Sequence, residues 1–128
     1  PAVIAWARGP LAHIFAGCLD DPRVRVVESD VGRLIGEQAG AWDAILLDVD
    51  NGPEGLTRRA NDQLYDLAGL ARARAALRPG GVLAVWSSGP DEGFTRRVRR
   101  SGLSTEVQRV PARKGGRGAR HVIWLGRR

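Results

Sequence analysis

The chain has one cysteine, Cys18, among 128 residues. One cysteine excludes an internal disulfide, and such sparse use of cysteine fits a reducing compartment. No apolar run approaches the ~20 residues that a membrane-spanning helix needs, and no secretion signal opens the sequence. We therefore expect a cytoplasmic protein with no membrane partner.

Methionine is absent altogether, even from the first position. The sequence instead starts with Pro1, inside a pattern typical of a helix, so we expect it to be a fragment that lacks an N-terminal part. Its length suits one domain with a real core, and its 43% apolar and 27% charged residues indicate a globular class. We predict a single, partial domain over residues 1–128.

Lysine is scarce, since nineteen of the twenty basic residues are arginine, and the charge is unevenly placed. Residues 96–128 hold eleven basic residues and one acid, whereas residues 1–95 hold nine basic residues and thirteen acids. The basic end could contact RNA or form a solvated surface with a loop at 111–120. We favour the solvated surface, because aromatic side chains that could stack on bases do not alternate with the arginines.

The hydrophobic pattern alternates helices with strands. Strands are predicted at residues 23–28, 43–48 and 82–86, and the intervening helices indicate parallel crossover connections. Two later strands, 104–110 and 121–125, follow each other directly and predict an antiparallel hairpin at the sheet edge. The predicted helices cover residues 1–17 with a kink at Gly9-Pro10, 31–38, 61–77 and the stretch between Gly89 and Gly102.

The strand at 43–48 ends in acids, with Asp48 at its tip and Asp50 two residues later. Open α/β sheets bind ligands at the carboxyl ends of their strands. An acid behind the apolar run Ala44–Leu47 is costly to bury without a partner, so a functional role is favoured over a loop cap. The sequence therefore predicts a ligand site at Asp48.

Five segments carry a resemblance to a known family: Asp20–Val24, Asp30, Asp43–Asp48, Gly52-Pro53 and Leu77–Leu83. They resemble the spermidine synthase (polyamine aminopropyltransferase) branch of the class I S-adenosylmethionine-dependent methyltransferase fold. The resemblance implies an α/β fold with a Rossmann-like, mostly parallel sheet. That sheet would end in an antiparallel hairpin and lack the first two strands of the family.

The resemblance also implies residue roles. Asp30 would accept a hydrogen bond from the adenine amino group of the donor, with the backbone amide of Val31 touching the ring; Asp30 also suits a plain helix N-cap. Asp48 would lie beside the reacting centre, contacting the donor and acting as the catalytic carboxylate that holds the incoming amine and accepts its proton. Asp50 and Tyr65 are predicted to bind the amine acceptor.

One loop departs from the family pattern. Spermidine synthases usually carry two small hydroxyl residues and then Asp-Pro after the strand acid, whereas this chain has Val49–Pro53 with Asp50 displaced. The acceptor is therefore left open. The preferred function is transfer of an aminopropyl or methyl group from decarboxylated or ordinary S-adenosylmethionine to a small-molecule amine, with the fragment alone inactive. The alternatives are a methyltransferase acting on a small molecule or RNA, and a non-catalytic interaction module.

The histidines and tryptophans carry weaker indications of function. His13 and His121 lack metal-ligand spacing, so no metal is expected. The four tryptophans are predicted to pack in the core or at its edges. If the first two strands of the family are missing, a strand edge is left exposed or the strands at 23–28 and 43–48 pair directly; an exposed edge predicts a homodimer.

In the family that this chain resembles, a Gly-rich loop after the first strand contributes to the donor site, and no such loop is recognisable in this sequence. No G-x-G follows a predicted strand, because Gly116-Arg117-Gly118 lies in the late loop. We expect calorimetric titration of the isolated chain with S-adenosylmethionine to show little or no binding. Circular dichroism of the same sample controls for folding, and binding in the micromolar range would contradict the expectation.

Overall fold

A computed structural model describes residues 2–49, 52–53, 61–112 and 118–128. The chain divides into two compact units, residues 1–30 and residues 31–128. No helix in the described ranges is both long and apolar enough to cross a bilayer.

The first unit contains two short helices, α1 (Ala2–Arg8) and α2 (Ala12–Phe15), and a 3₁₀ turn at Cys18–Asp20. The predicted break at Gly9-Pro10 is confirmed, since α1 stops just before it. The left-handed backbone of Ala16, with φ of 46°, ends α2.

A tight polar turn follows at residues 21–23. The Asp21 carboxylate accepts hydrogen bonds from the Arg23 amide at 2.8 Å and from the Arg23 guanidinium at 2.9 and 2.7 Å. The side-chain bond, helped by the amide, lowers the pKa of Asp21, and the carboxylate raises the pKa of Arg23. Hydrogen bonds between Asp21 and Arg23 therefore hold the family-like segment Asp21–Val24 in a turn.

The predicted strand at 23–28 is wrong, because these residues join no sheet. A strand is held by hydrogen bonds to a neighbouring strand. Within the described part of residues 1–30 no other strand exists to supply them. Val24 and Val27 are accordingly 46% and 44% exposed.

The second unit is built on a four-stranded sheet in the order β1-β2-β4-β3. Its strands are β1 (Trp42–Leu47), β2 (Leu77–Ser87), β3 (Ser104–Pro111) and β4 (Arg120–Arg127). β1 pairs with β2 in parallel, and β4 pairs antiparallel with both β2 and β3. The predicted parallel crossover and the predicted edge hairpin are both confirmed.

The helices of this unit are α3 (Val31–Gly36), α4 (Asp62–Tyr65), α5 (Leu67–Ala76) and α6 (Glu92–Arg100). Alternate strand residues pack with them in one core, which includes Leu83 and Val85 of β2 and Trp124 of β4. Phe94 of α6 meets Trp124 edge to face at 5.0 Å. The Trp124 indole donates to the Thr95 hydroxyl at 2.8 Å, so its buried N–H is satisfied.

The helix predicted over 61–77 is interrupted at Asp66. Its backbone turns extended, with ψ of 171°, and its carboxylate caps α5 by accepting from the Gly69 amide at 2.6 Å. This turn packs the two helices so closely that a Cβ on Gly69 would lie 2.2 Å from the Gln63 carbonyl oxygen. The chain therefore needs glycine at position 69.

Gly69→Ala is expected to lower the free energy of unfolding by about 1–3 kcal/mol, because its methyl group meets rigid backbone. Urea unfolding measures the change. Gly36→Ala in α3 is the matched control, since its methyl would meet only the Arg72 side chain, at 3.7 Å. Equal stability of the two variants would contradict the close α4–α5 packing.

Candidate functional site

The tip of β1 presents Asp48 to solvent. Leu47 is buried, Asp48 is exposed, and Val49 packs against the core, so side chains keep alternating past the end of the strand. Asp48 therefore points to the face of the sheet opposite α5 and α6. The ladder between β1 and β2 ends at the pair Leu47 and Val85, which brings Asp48 level with Trp86 on β2.

The predicted acceptor residue Tyr65 lies beneath this tip. Its side chain is only 3% exposed, and its ring meets Phe94 edge to face at 5.8 Å. The Tyr65 hydroxyl donates to the Val49 carbonyl at 3.1 Å. The observed contact is thus structural support for the residue that follows Asp48, and acceptor binding by Tyr65 stays a prediction.

The next turn of the chain passes directly over the end of β2. Gly52 has φ of 104°, and a Cβ on it would lie 2.3 Å from the Ser87 hydroxyl oxygen. Gly52 and Pro53 are both buried. Only glycine fits this approach, so the Gly-Pro pair of the family-like loop fixes where the chain crosses the carboxyl edge of the sheet.

A cleft of about 360 Å³ opens beside this loop, on the helix side. It is lined by Pro53, Asp62, Tyr65, Asp66 and Arg97. Arg97 donates to the Tyr65 carbonyl at 3.1 Å, and its guanidinium lies 5.5 Å from the centre of the Phe94 ring. These contacts hold Tyr65 in place from the α6 side.

The same arginine faces Asp91. One carboxylate oxygen of Asp91 accepts a hydrogen bond from the Phe94 amide at 2.7 Å and so caps α6. The other carboxylate oxygen lies 3.5 Å from the Arg97 guanidinium. That oxygen is buried and has no hydrogen bond within the described chain. The nearby positive charge compensates a carboxylate that would otherwise be costly to bury.

The predicted donor residues lie elsewhere along the chain. Asp30 is the exposed last residue of the first unit, and α3 begins at Val31, the position that an N-cap at Asp30 predicts. Val31 is half-buried and packs against the core of the second unit. Their adenine-binding roles stay predictions, and Asp50 lies outside the described residues.

No group of three or more His, Cys, Asp or Glu side chains in the described ranges could hold a metal ion.

We compared the sequence with those of known proteins. No family model matches the chain. A polyamine aminopropyltransferase of Mycobacterium tuberculosis (strain H37Rv) is 36% identical over 93 residues, which make up 70% of this chain and 17% of the relative. Polyamine aminopropyltransferase 1 of Streptomyces coelicolor is 33% identical over the same length and the same shares. Over these 93 residues the chain is similar to the polyamine aminopropyltransferases, the spermidine synthase-like branch of the class I methyltransferase fold.

Solved structures agree on the fold. Spermidine synthase from Thermotoga maritima superposes with a TM-score of 0.70 at 21% identity, covering 98% of this chain and 42% of that one. A spermidine synthase in complex with the transition-state analogue AdoDATO gives 0.74 at 22%, covering 98% and 43%. A Burkholderia thailandensis N1-methyltransferase with bound S-adenosylhomocysteine gives 0.62 at 21%, covering 89% and 56%. The chain thus spans about a sixth of the curated relatives and about two fifths of the solved spermidine synthases.

Trp86 and His121 were predicted only as a packing residue and a histidine without a metal partner. The structure stacks their rings at 4.8 Å between centres, on the same face as Asp48. The alternation of β2 and β4, which buries Val85 and Val122, was the signal that could have placed both side chains on that face.

Gly52→Ala is expected to move the Gly-Pro loop off β2 and to cost about 1–3 kcal/mol of unfolding free energy, because its methyl would overlap Ser87. Urea unfolding measures the loss, and the backbone NMR shifts of Val49 report the displacement. Gly89→Ala is the control, since a Cβ there has no atom within 4 Å. An unchanged Val49 spectrum in Gly52→Ala would refute the anchoring role.

Proposed function

We propose that the protein of which this chain forms the acceptor-side part transfers an aminopropyl or methyl group to a small-molecule amine. The donor would be the sulfonium of decarboxylated or ordinary S-adenosylmethionine. The observation that carries the proposal is the exposed carboxylate of Asp48 at the carboxyl end of parallel strand β1. The names of the aminopropyltransferase relatives and the ligands of the solved neighbours support the same chemistry.

The transfer needs little covalent help from the protein. The amine nitrogen attacks the carbon next to the sulfonium with its lone pair, the carbon–sulfur bond breaks, and its electrons stay on sulfur as a neutral thioether. Before the attack Asp48 accepts the proton that the incoming ammonium must lose to free its lone pair, and the secondary ammonium formed with the new carbon–nitrogen bond leaves as the protonated product. An ionised carboxylate also holds the ammonium form of the amine before its deprotonation.

The donor side of the site rests on Asp30 and Val31. In this proposal the Asp30 carboxylate accepts from the adenine amino group and the Val31 amide touches the ring. The donor supplies the electrophilic carbon when it is bound. Both residues precede α3 or start it, and the Val31 side chain is fixed by packing on the core.

The acceptor side is anionic. Besides Asp48 and the proposed Asp50, the nearby cleft carries two carboxylates, Asp62 and Asp66, against one guanidinium, Arg97, and this excess of negative charge attracts cations towards this end of the sheet. Tyr65 supports the loop behind Asp48 through the Val49 carbonyl. We place this chemistry in the cytoplasm, as the low cysteine content predicts.

Asp48→Asn should weaken binding of 1,4-diaminobutane to the chain roughly ten- to hundredfold, because a charge-assisted contact is lost while the shape of the side chain is kept. An NMR titration of the 128-residue chain measures the dissociation constant.

Asp43→Asn is the matched control at the other end of β1. Asp43 is an exposed acid that pairs with Arg78 at 2.6 Å, and surface pairs of this kind contribute little. If both variants bind the diamine as the wild type does, Asp48 is not the acceptor acid; if the wild type binds no amine, the proposed function is wrong.

A further inference from the structure

Three chemically distinct side chains line up at the carboxyl end of β2. Asp48 comes level with Trp86 in the parallel register, and the Trp86 ring stacks on His121 of β4 at 4.8 Å and a tilt of 45°. Ile123 of β4 lies directly opposite Trp86, and His121 lies two residues further along on the same face, diagonal to Trp86. Carboxylate, indole and imidazole therefore form an oblique row across three strands. All three lie on the face opposite α5 and α6.

The imidazole of this row has an open bonding position. The Nδ1 atom of His121 is buried and has no hydrogen-bond partner in the described part of the chain. Most buried polar atoms in folded proteins find a partner, and the exceptions mark strained or functional places, or a missing water or ligand. The unpaired nitrogen marks His121 as a place where a water molecule or a ligand atom would complete the hydrogen bonding.

The row below is apolar. Leu46 pairs with Ala84, and Ala84 pairs with Leu125, which places three aliphatic side chains on the same face, one step from the tips of the strands. Leu46 is 75% exposed. An aliphatic chain that entered beside Asp48 would therefore meet an apolar floor.

We propose that Trp86 and His121 form the acceptor platform of the enzyme, with the ammonium group of a primary alkylamine held against the Trp86 ring beside Asp48. This inference rests on the proposed function and names the residues that select its acceptor. Indole is the side chain that attracts cations most strongly through its ring face. The aliphatic stem of the amine lies along Leu46 and Ala84, and His121 holds the indole in its orientation.

The platform differs from the cleft on the helix side. That cleft offers the carboxylates of Asp62 and Asp66 but no exposed aromatic face, because Tyr65 is buried and its hydroxyl is bonded to Val49. A site made of carboxylate, indole and alkyl side chains selects a ligand by its positive charge and by its aliphatic stem. It therefore distinguishes an alkylamine from an alcohol of the same length.

The test is an NMR titration of the 128-residue chain with 1,4-diaminobutane, and with 1,4-butanediol as the uncharged probe. We expect the diamine, and not the diol, to shift the Trp86 indole and His121 imidazole signals. Trp86→Leu should weaken diamine binding about three- to thirtyfold, whereas Trp86→Phe, which keeps a ring face, should retain most of the affinity. Trp42→Leu, at the other end of β1, is the control and should bind as the wild type does.

The outcomes separate the two proposals. If Asp48→Asn weakens diamine binding but Trp86→Leu does not, and the Trp86 and His121 signals stay still, the platform is wrong while the proposed function stands. If Trp86→Leu does not fold, the shifts in the wild type and the affinity of Trp86→Phe decide. If the wild type binds no diamine, both proposals fail together, and equal shifts with the diol refute selection by charge.

Discussion

The parallel pairing of β1 with β2 is the constraint on which the site depends. In a parallel pair both strands end at the same edge, and residues in register share a face. The ladder that runs to Leu47 and Val85 therefore delivers Asp48 and Trp86 side by side. A shift of one residue would turn Asp48 into the core and expose Leu47 or Val49, so burial of the apolar neighbours fixes the direction of the acid.

A chain of contacts in the core fixes the position of the backbone that follows β1. Trp124 is anchored by Thr95 and packs on Phe94, Phe94 packs on Tyr65, and Tyr65 reaches the Val49 carbonyl. Each step is a buried ring contact or a satisfied hydrogen bond, so the carbonyl beside Asp48 is held by the interior of the unit. Arg97 closes the chain of contacts from α6 and offsets the buried charge of Asp91.

Features set by local sequence could be predicted, and features set by distant partners could not. The Asp43–Asp48 strand, the edge hairpin and the break at Gly9-Pro10 follow from alternation, loop length and proline chemistry. The strand at 23–28 did not form, because a pattern of valines supplies an apolar face but no hydrogen-bonding neighbour. The interruption at Asp66 was also missed, since a helical pattern of apolar residues continues through an internal cap.

The candidate site divides in the same way. The position of Asp48 follows from one strand, whereas the row of Asp48, Trp86 and His121 requires the register of three strands. The Gly-Pro turn passes closely over Ser87, and the residues before it differ from the family pattern. On the proposed function, acceptor selection then falls to the side chains around the acid rather than to the loop. In this chain the aromatic pair beside Asp48 is the group positioned to make that selection.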